Sequence, residues 1–267
     1  MSAIAWSHYE TGNCRVCCPV CGRGERDKTL GLTIAANGAG VAHCFRCGFT
    51  ETYRPERGVC GSAHSTARIQ VVTPFAKHRV LSDYGFDLWN ACRTISGDAL
   101  AYLDARHCCI PAADGDLRWH PSLKHPADYA GPALVGLVTH AVTREPMTLH
   151  KTWIRTDGRK AEVDPPRLLL GGHRKAGGVI RLWPDEAVTN GLGVAEGIET
   201  ALSLAHGYAP VWACIDAGNL QALPVLAGIE SLIIAVDDDP AGWAAAAACA
   251  QRWSDAGREV VEVSYGA

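Results

Sequence analysis

The chain has 267 residues, 48% of them hydrophobic, enough for two or three packed domains, and its formal charge of −3 excludes a uniformly basic nucleic-acid binder. The charge is unevenly spread. From His150 to Arg181 eight basic residues face three acidic ones, and from Leu182 onward two basic residues face twelve acidic ones. A basic middle beside an acidic end suits a protein that follows phosphates with one surface and holds metal ions with another. No basic segment followed by an apolar core opens the chain, and no run approaches about eighteen apolar residues, so a cytoplasmic protein that does not enter the membrane is expected.

The first sixty residues are dominated by cysteine. Cys18-Pro19-Val20-Cys21-Gly22 and Cys44-Phe45-Arg46-Cys47-Gly48 are two near-identical knuckles. A Cys-x-x-Cys turn lets two thiolates reach one ion, and two such turns complete a zinc tetrahedron with no open position, so a structural Zn²⁺ on Cys18, Cys21, Cys44 and Cys47 is expected. Thr29–Ile34 and Gly40–His43 read as short strands around the turn Asn37-Gly38, which gives a zinc ribbon over residues 1–60. Cys14 and Cys17 repeat the spacing and stay open as ligands, idle thiols or spares. Arg15, Arg23, Arg26, Lys28 and Arg46 make the ribbon a candidate contact for a single strand.

Residues 61–112 read as a linker followed by a helical segment. Thr52 to Val80 is rich in small, polar and basic residues, whereas Asp83 to Cys109 carries apolar positions at helical spacing, interrupted at Ser96-Gly97-Asp98. Residues 113–184 change to short strands: Leu117–His120, Ala133–Val138, Leu149–Ile154 and Gly178–Leu182. His150, Lys151, Arg155, Lys160, Arg174, Lys175 and Arg181 cluster in this stretch and are the candidate phosphate or nucleotide contacts.

The last segment, residues 185–267, holds the most informative pattern. Gly193-Val194-Ala195-Glu196-Gly197-Ile198-Glu199 and Ile233-Ile234-Ala235-Val236-Asp237-Asp238-Asp239-Pro240-Ala241-Gly242 each run from an apolar strand through carboxylates into an Ala- or Leu-rich helix. Ligands of open α/β sheets bind at that edge, and clustered carboxylates there suit Mg²⁺. In extended backbone Asp237 and Asp239 share one side and Asp238 takes the other. Asp216, after Trp212–Ile215, is a further acidic candidate for the same edge.

Glu196-Gly197 followed by Asp237-x-Asp239-x-x-Gly242 resembles the Toprim domain, and the order of ribbon, helical segment, basic strands and acidic edge is similar to phage and mobile-element DNA primases. The resemblance implies an α+β and α/β multidomain protein that makes short RNA primers on single-stranded DNA from NTPs. It implies catalytic Mg²⁺ or Mn²⁺ on Asp237 and Asp239, with Glu196 handling a proton or a metal ion. The chain carries no Gly-x-x-x-x-Gly-Lys-Ser/Thr loop, so unwinding is expected from a separate helicase. A Toprim-type nuclease and an inactive zinc-dependent single-strand binder are the alternatives that the same residues allow.

Overall fold

The computed structural model describes residues 3–22, 24, 27–44, 46–55 and 80–264. The chain forms two units, divided between residues 70 and 71. Most of the segment expected as a linker, together with Arg23 and Arg26, lies outside the described residues.

The N-terminal unit is a four-stranded antiparallel sheet in chain order: β1 (Gly12–Val16), β2 (Leu30–Ile34), β3 (Gly40–Cys44) and β4 (Thr50–Tyr53). The two inner strands are the pair expected around Asn37-Gly38. The outer strands were not evident, because β1 is polar and exposed and β4 opens the stretch that reads as a linker. One face of the sheet packs Leu30, Leu32, Ala42 and Cys44 against Ile4, Trp6 and Cys18. Trp6 stacks on Tyr53 at 5.7 Å, and its indole N–H donates to Glu51 at 3.0 Å.

The second unit is built on one nine-stranded sheet. Its strands are β5 (Leu117–His125), β6 (Tyr129–His140), β7 (Pro146–Trp153), β8 (Arg167–Leu169), β9 (Gly178–Arg181), β10 (Gly191–Ala195), β11 (Val211–Ala213), β12 (Ser231–Val236) and β13 (Glu259–Ser264). The order runs β13-β12-β10-β11-β9-β6-β7-β8, with β5 also pairing β6. The first four in that order are parallel, and the sheet turns antiparallel where β11 meets β9. The segments expected as separate basic and acidic halves are therefore joined by backbone hydrogen bonds through Trp212↔Arg181 and Ala213↔Ile180.

Five helices cover the faces: α1 (Asp83–Ala91), α2 (Gly97–Ala105), α3 (Ile198–Leu204), α4 (Ala217–Gln221) and α5 (Pro240–Asp255). Residues alternate along each strand, so Ala195 and Ala235 face α2 and α3, while Leu192, Val194, Leu232 and Ile234 face α4 and α5. On the antiparallel side, Leu149 and Trp153 of β7 pack with Leu81 and Trp89 near α1. β5 continues past Pro121, where the pairing slips between His120 and Leu123; a bulge accommodates the missing N–H. α5 begins at Pro240, directly after the carboxylates, because Asp239 caps it and proline's fixed φ suits the first turn. No helix among the described residues is long and apolar enough to cross a membrane.

Candidate active site

The four thiols of Cys18, Cys21, Cys44 and Cys47 converge so that all their sulfur atoms lie within 4.8 Å of one another. Cys18 and Cys47 are 3.8 Å apart and Cys21 and Cys44 3.6 Å. A zinc–sulfur bond of about 2.3 Å gives a tetrahedral S···S edge of about 3.8 Å, so this donor set fits Zn²⁺ in number, softness and spacing. The two knuckles use the same turn: Gly22 N–H donates to the Cys18 carbonyl at 2.9 Å and Gly48 N–H to the Cys44 carbonyl at 3.1 Å. Gly48 stands at φ +74°, a conformation only glycine adopts cheaply. Backbone N–H groups of Cys47 and Arg46 point at the Cys44 sulfur and pull its thiol down to about 6, while burial and the neighbouring sulfurs push Cys21 up. Cys14 is exposed on β1 and Cys17 contacts the Cys18 carbonyl; neither joins the cluster. Arg46 bridges the knuckles, donating to the Cys21 carbonyl at 3.2 Å and pairing with Asp27, so its guanidinium is already committed.

The carboxylates assemble on the second unit. β10 and β12 are neighbours with Ala195 opposite Ala235, so Glu196 and Asp237 leave the sheet at the same edge. Asp216 follows the third strand of the set, β11, through Ile215, whose φ of +64° is unusual for a β-branched residue. Each acid is held by a local bond. Thr200 donates its hydroxyl to Asp237 at 2.8 Å, Asp239 accepts from Gly242 N–H at 2.8 Å, and Asp216 accepts from Asn219 N–H at 2.9 Å and from Lys175 at 2.6 Å. Gly242 is required here, since a Cβ at that position would fall 2.5 Å from the Asp237 carbonyl oxygen. Burial raises the Glu196 carboxyl above its ordinary range, and Asp237, Asp239 and Asp216 add to the rise. Among the described residues only the four thiolates, and no three carboxylates, gather within 4.8 Å. The donor chemistry, hard oxygens on a half-exposed edge carrying mutual repulsion that a cation relieves, nonetheless suits Mg²⁺ or Mn²⁺.

Glu199 is the residue that sequence reasoning underrated. It is buried, accepts from the Tyr102 hydroxyl at 2.8 Å, and lies 3.4 Å from Arg167 and 3.9 Å from Lys160. Burial alone would raise its carboxyl, but Arg167 and Lys160, together with the hydrogen bonds it accepts, hold it below the ordinary range. A recess of about 230 Å³ opens beside it, lined by Arg106, Cys108, Thr200, Ser203 and Asp237. The clue in the sequence was a charged residue beside Ile198 and three before Leu202, on a buried helix face. His150 has a buried Nδ1 with no partner and is pushed down to about 4 by burial, with Arg167 and Lys160 adding to the fall and Glu199 and Asp216 opposing it.

The other basic candidates scatter. Lys151 points to the opposite face of β7 from His150 and lies 5.6 Å from the Trp153 ring, and Arg155 pairs with Asp157 and Glu162. Arg174 is exposed, and Lys175 is tied to Asp216. Arg181 is buried. It bonds Asp185, Thr139 and the His140 and Ala141 carbonyls and lies over Trp212 at 4.5 Å, so it is a core residue and not a surface phosphate contact. Alternation along a strand explains Lys151; the polar partners that β6 and the Asp185 turn present to β9 explain Arg181.

Residues 191–265, which carry the three strand ends and their carboxylates, match the family described as Toprim domain. Residues 81–182 match a family described as "Domain of unknown function (DUF7146)". Among solved structures the chain is similar to a DNA primase domain from Pseudomonas aeruginosa, at 14% identity over 63% of this chain and 64% of that one, with a TM-score of 0.41. It is also similar to the primase fragment of the bacteriophage T7 primase-helicase protein, at 15% identity over 93% of this chain and 88% of that one, with a TM-score of 0.41. The match thus spans less than two thirds of the Pseudomonas chain. No curated protein matches the sequence. Within the segment that matches the Toprim family, Glu196 follows β10 and Asp237 and Asp239 follow β12, and Tyr102, Lys160 and Arg167 reach its Glu199 from the preceding segment.

Proposed function

We propose that the protein is a primase-type nucleotidyltransferase that extends RNA from NTPs on a single-stranded DNA template. The reading is carried by one observation: adjacent parallel strands deliver Glu196 and Asp237 to the same edge, with Asp239 two residues on. Mg²⁺ or Mn²⁺ held by Asp237 and Asp239 would supply charge neutralisation at a triphosphate and acidify an attacking hydroxyl. Glu196, whose carboxyl is raised by burial and its acidic neighbours, is suited to accept the proton of the 3′-hydroxyl as its oxygen bonds to the α-phosphorus and pyrophosphate departs. Lys160 and Arg167, lying near the recess and balanced by Glu199, offer positive charge to phosphate oxygens, and Arg174 offers it from the surface. The zinc on Cys18, Cys21, Cys44 and Cys47 is structural and sustains a ribbon over residues 1–60 that presents the template. The helical segment to residue 112, the basic strands to residue 184 and the Toprim residues 185–267 complete the proposed domain order, with a separate helicase opening the duplex.

The test is incubation of the purified protein with Mg²⁺, labelled NTPs and mixed single-stranded DNA, beside an Asp237→Ala/Asp239→Ala variant. Short template-dependent products should fall on the order of 100-fold or more in the variant. Carboxylate-dependent shortening of the DNA without synthesis would assign a nuclease instead. Binding without either reaction would leave a zinc-dependent single-strand binder.

A further inference from the structure

We propose that Trp243 is a stacking platform for a nucleobase whose phosphate lies at the acidic edge. Trp243 sits in the first turn of α5, one turn from the Asp239 cap, with its backbone N–H bonded to the Asp239 carbonyl at 3.0 Å. Its side chain is nevertheless 53% exposed. A solvent-facing helix surface ordinarily carries charge. Here the outward residues Pro240, Ala241, Ala244 and Ala247 are all exposed and all uncharged, so the indole stands on a flat apolar shelf of small side chains.

The ring is also fixed. Its Nε1–H donates to Asp238 at 3.3 Å, which holds the indole by one edge while about half of the side chain stays open to a flat partner. This gives the middle carboxylate of Asp237-Asp238-Asp239 a task of its own: it holds the ring. Aromatic side chains bind bases through stacking that is tolerant of sequence, and an oriented, uncharged ring beside a phosphate-handling edge has the geometry for it. The inference rests on the nucleotidyl-transfer reading for its ligand class, but not on turnover.

The experiment measures dissociation constants of the full chain in Mg²⁺ for ATP, for oligothymidylate and for inorganic tripolyphosphate, using wild type, W243A and W243F. W243A should weaken ATP or oligothymidylate about tenfold, W243F should recover most of that loss, and tripolyphosphate should bind all three proteins alike. A loss confined to ATP places the base on the incoming nucleotide; a loss confined to oligothymidylate places it on the template. Equal affinities for wild type and W243A overturn the proposal, as does a loss of self-association with unchanged nucleotide affinity, which would give the shelf to a second copy. Primer synthesis is assayed in parallel. Wild type that binds nucleotide through Trp243 yet makes no product would retire the polymerase reading and leave the stacking intact.

Discussion

At the scale of single residues, Asp237 and Asp239 are placed against their own stability. They raise the Glu196 carboxyl, which means that ionised Glu196 is resisted by its surroundings. Asparagine preserves both the acceptor for Thr200 and the helix cap while removing charge. Asp237→Asn and Asp239→Asn should therefore each raise the melting temperature by about a degree or two in metal-free buffer while abolishing synthesis. Thermal denaturation beside the primer assay checks both halves, and a lower melting temperature would refute the repulsion account. His150 predicts a pH effect of definite sign. Its folded value lies near 4 and an unfolded histidine titrates near about 6.5, so the unfolded chain gains the proton first. The contribution of neutral His150 is complete above about pH 6.5 and is lost as pH falls toward 4; urea midpoints across that window should fall less steeply in His150→Gln. For Arg181 the expectation is structural: Arg181→Ala removes the cation beside buried Asp116 and one of the two that pair with Asp185, Arg144 being the other, and should cost about 3 kcal/mol in urea unfolding.

At the scale of elements, the zinc ribbon is a self-contained prediction. One Zn²⁺ per chain is expected, lost in Cys18→Ser or Cys44→Ser and retained in Cys14→Ser and Cys17→Ser, because only the former pair belongs to the convergent set. Chelation should unfold the N-terminal sheet without lowering the melting of the second unit, readable by metal analysis and calorimetry on the same sample. Much of this level was legible beforehand. The knuckles, the β2–β3 turn, the two helices after Asp83 and the strand-to-helix edges at Glu196 and Asp237 follow from local spacing alone, since each is decided within a few residues. What escaped has a common cause. β1 and β8 are short and lack a buried face, so no apolar alternation marks them; β4 was masked by linker-like composition. Glu199 and Arg181 look like surface charges until the elements that bury them, α2 and the β6–β9 pair, are in place.

At the scale of the whole molecule, the charge distribution bounds how the proposed primase would hold DNA. If Lys160, Arg167 and Arg174 are the main phosphate contacts, the affinity for single-stranded DNA should fall with salt at a log–log slope of about −2. Titrations from low to moderate salt check this, and a slope beyond about −5 would require a larger basic surface than these residues provide. The nine-stranded sheet has a mechanical consequence as well. Ladder hydrogen bonds between β11 and β9 cross from the carboxylate side to the cationic side with no intervening flexible joint. A cleft bordered by two such faces usually opens and shuts by rotation about a hinge, but a continuous sheet offers no pivot. On the proposed function, the carboxylates and the cations of Lys160 and Arg167 would then keep a separation fixed by the sheet, and discrimination among nucleic-acid substrates would fall to their dimensions.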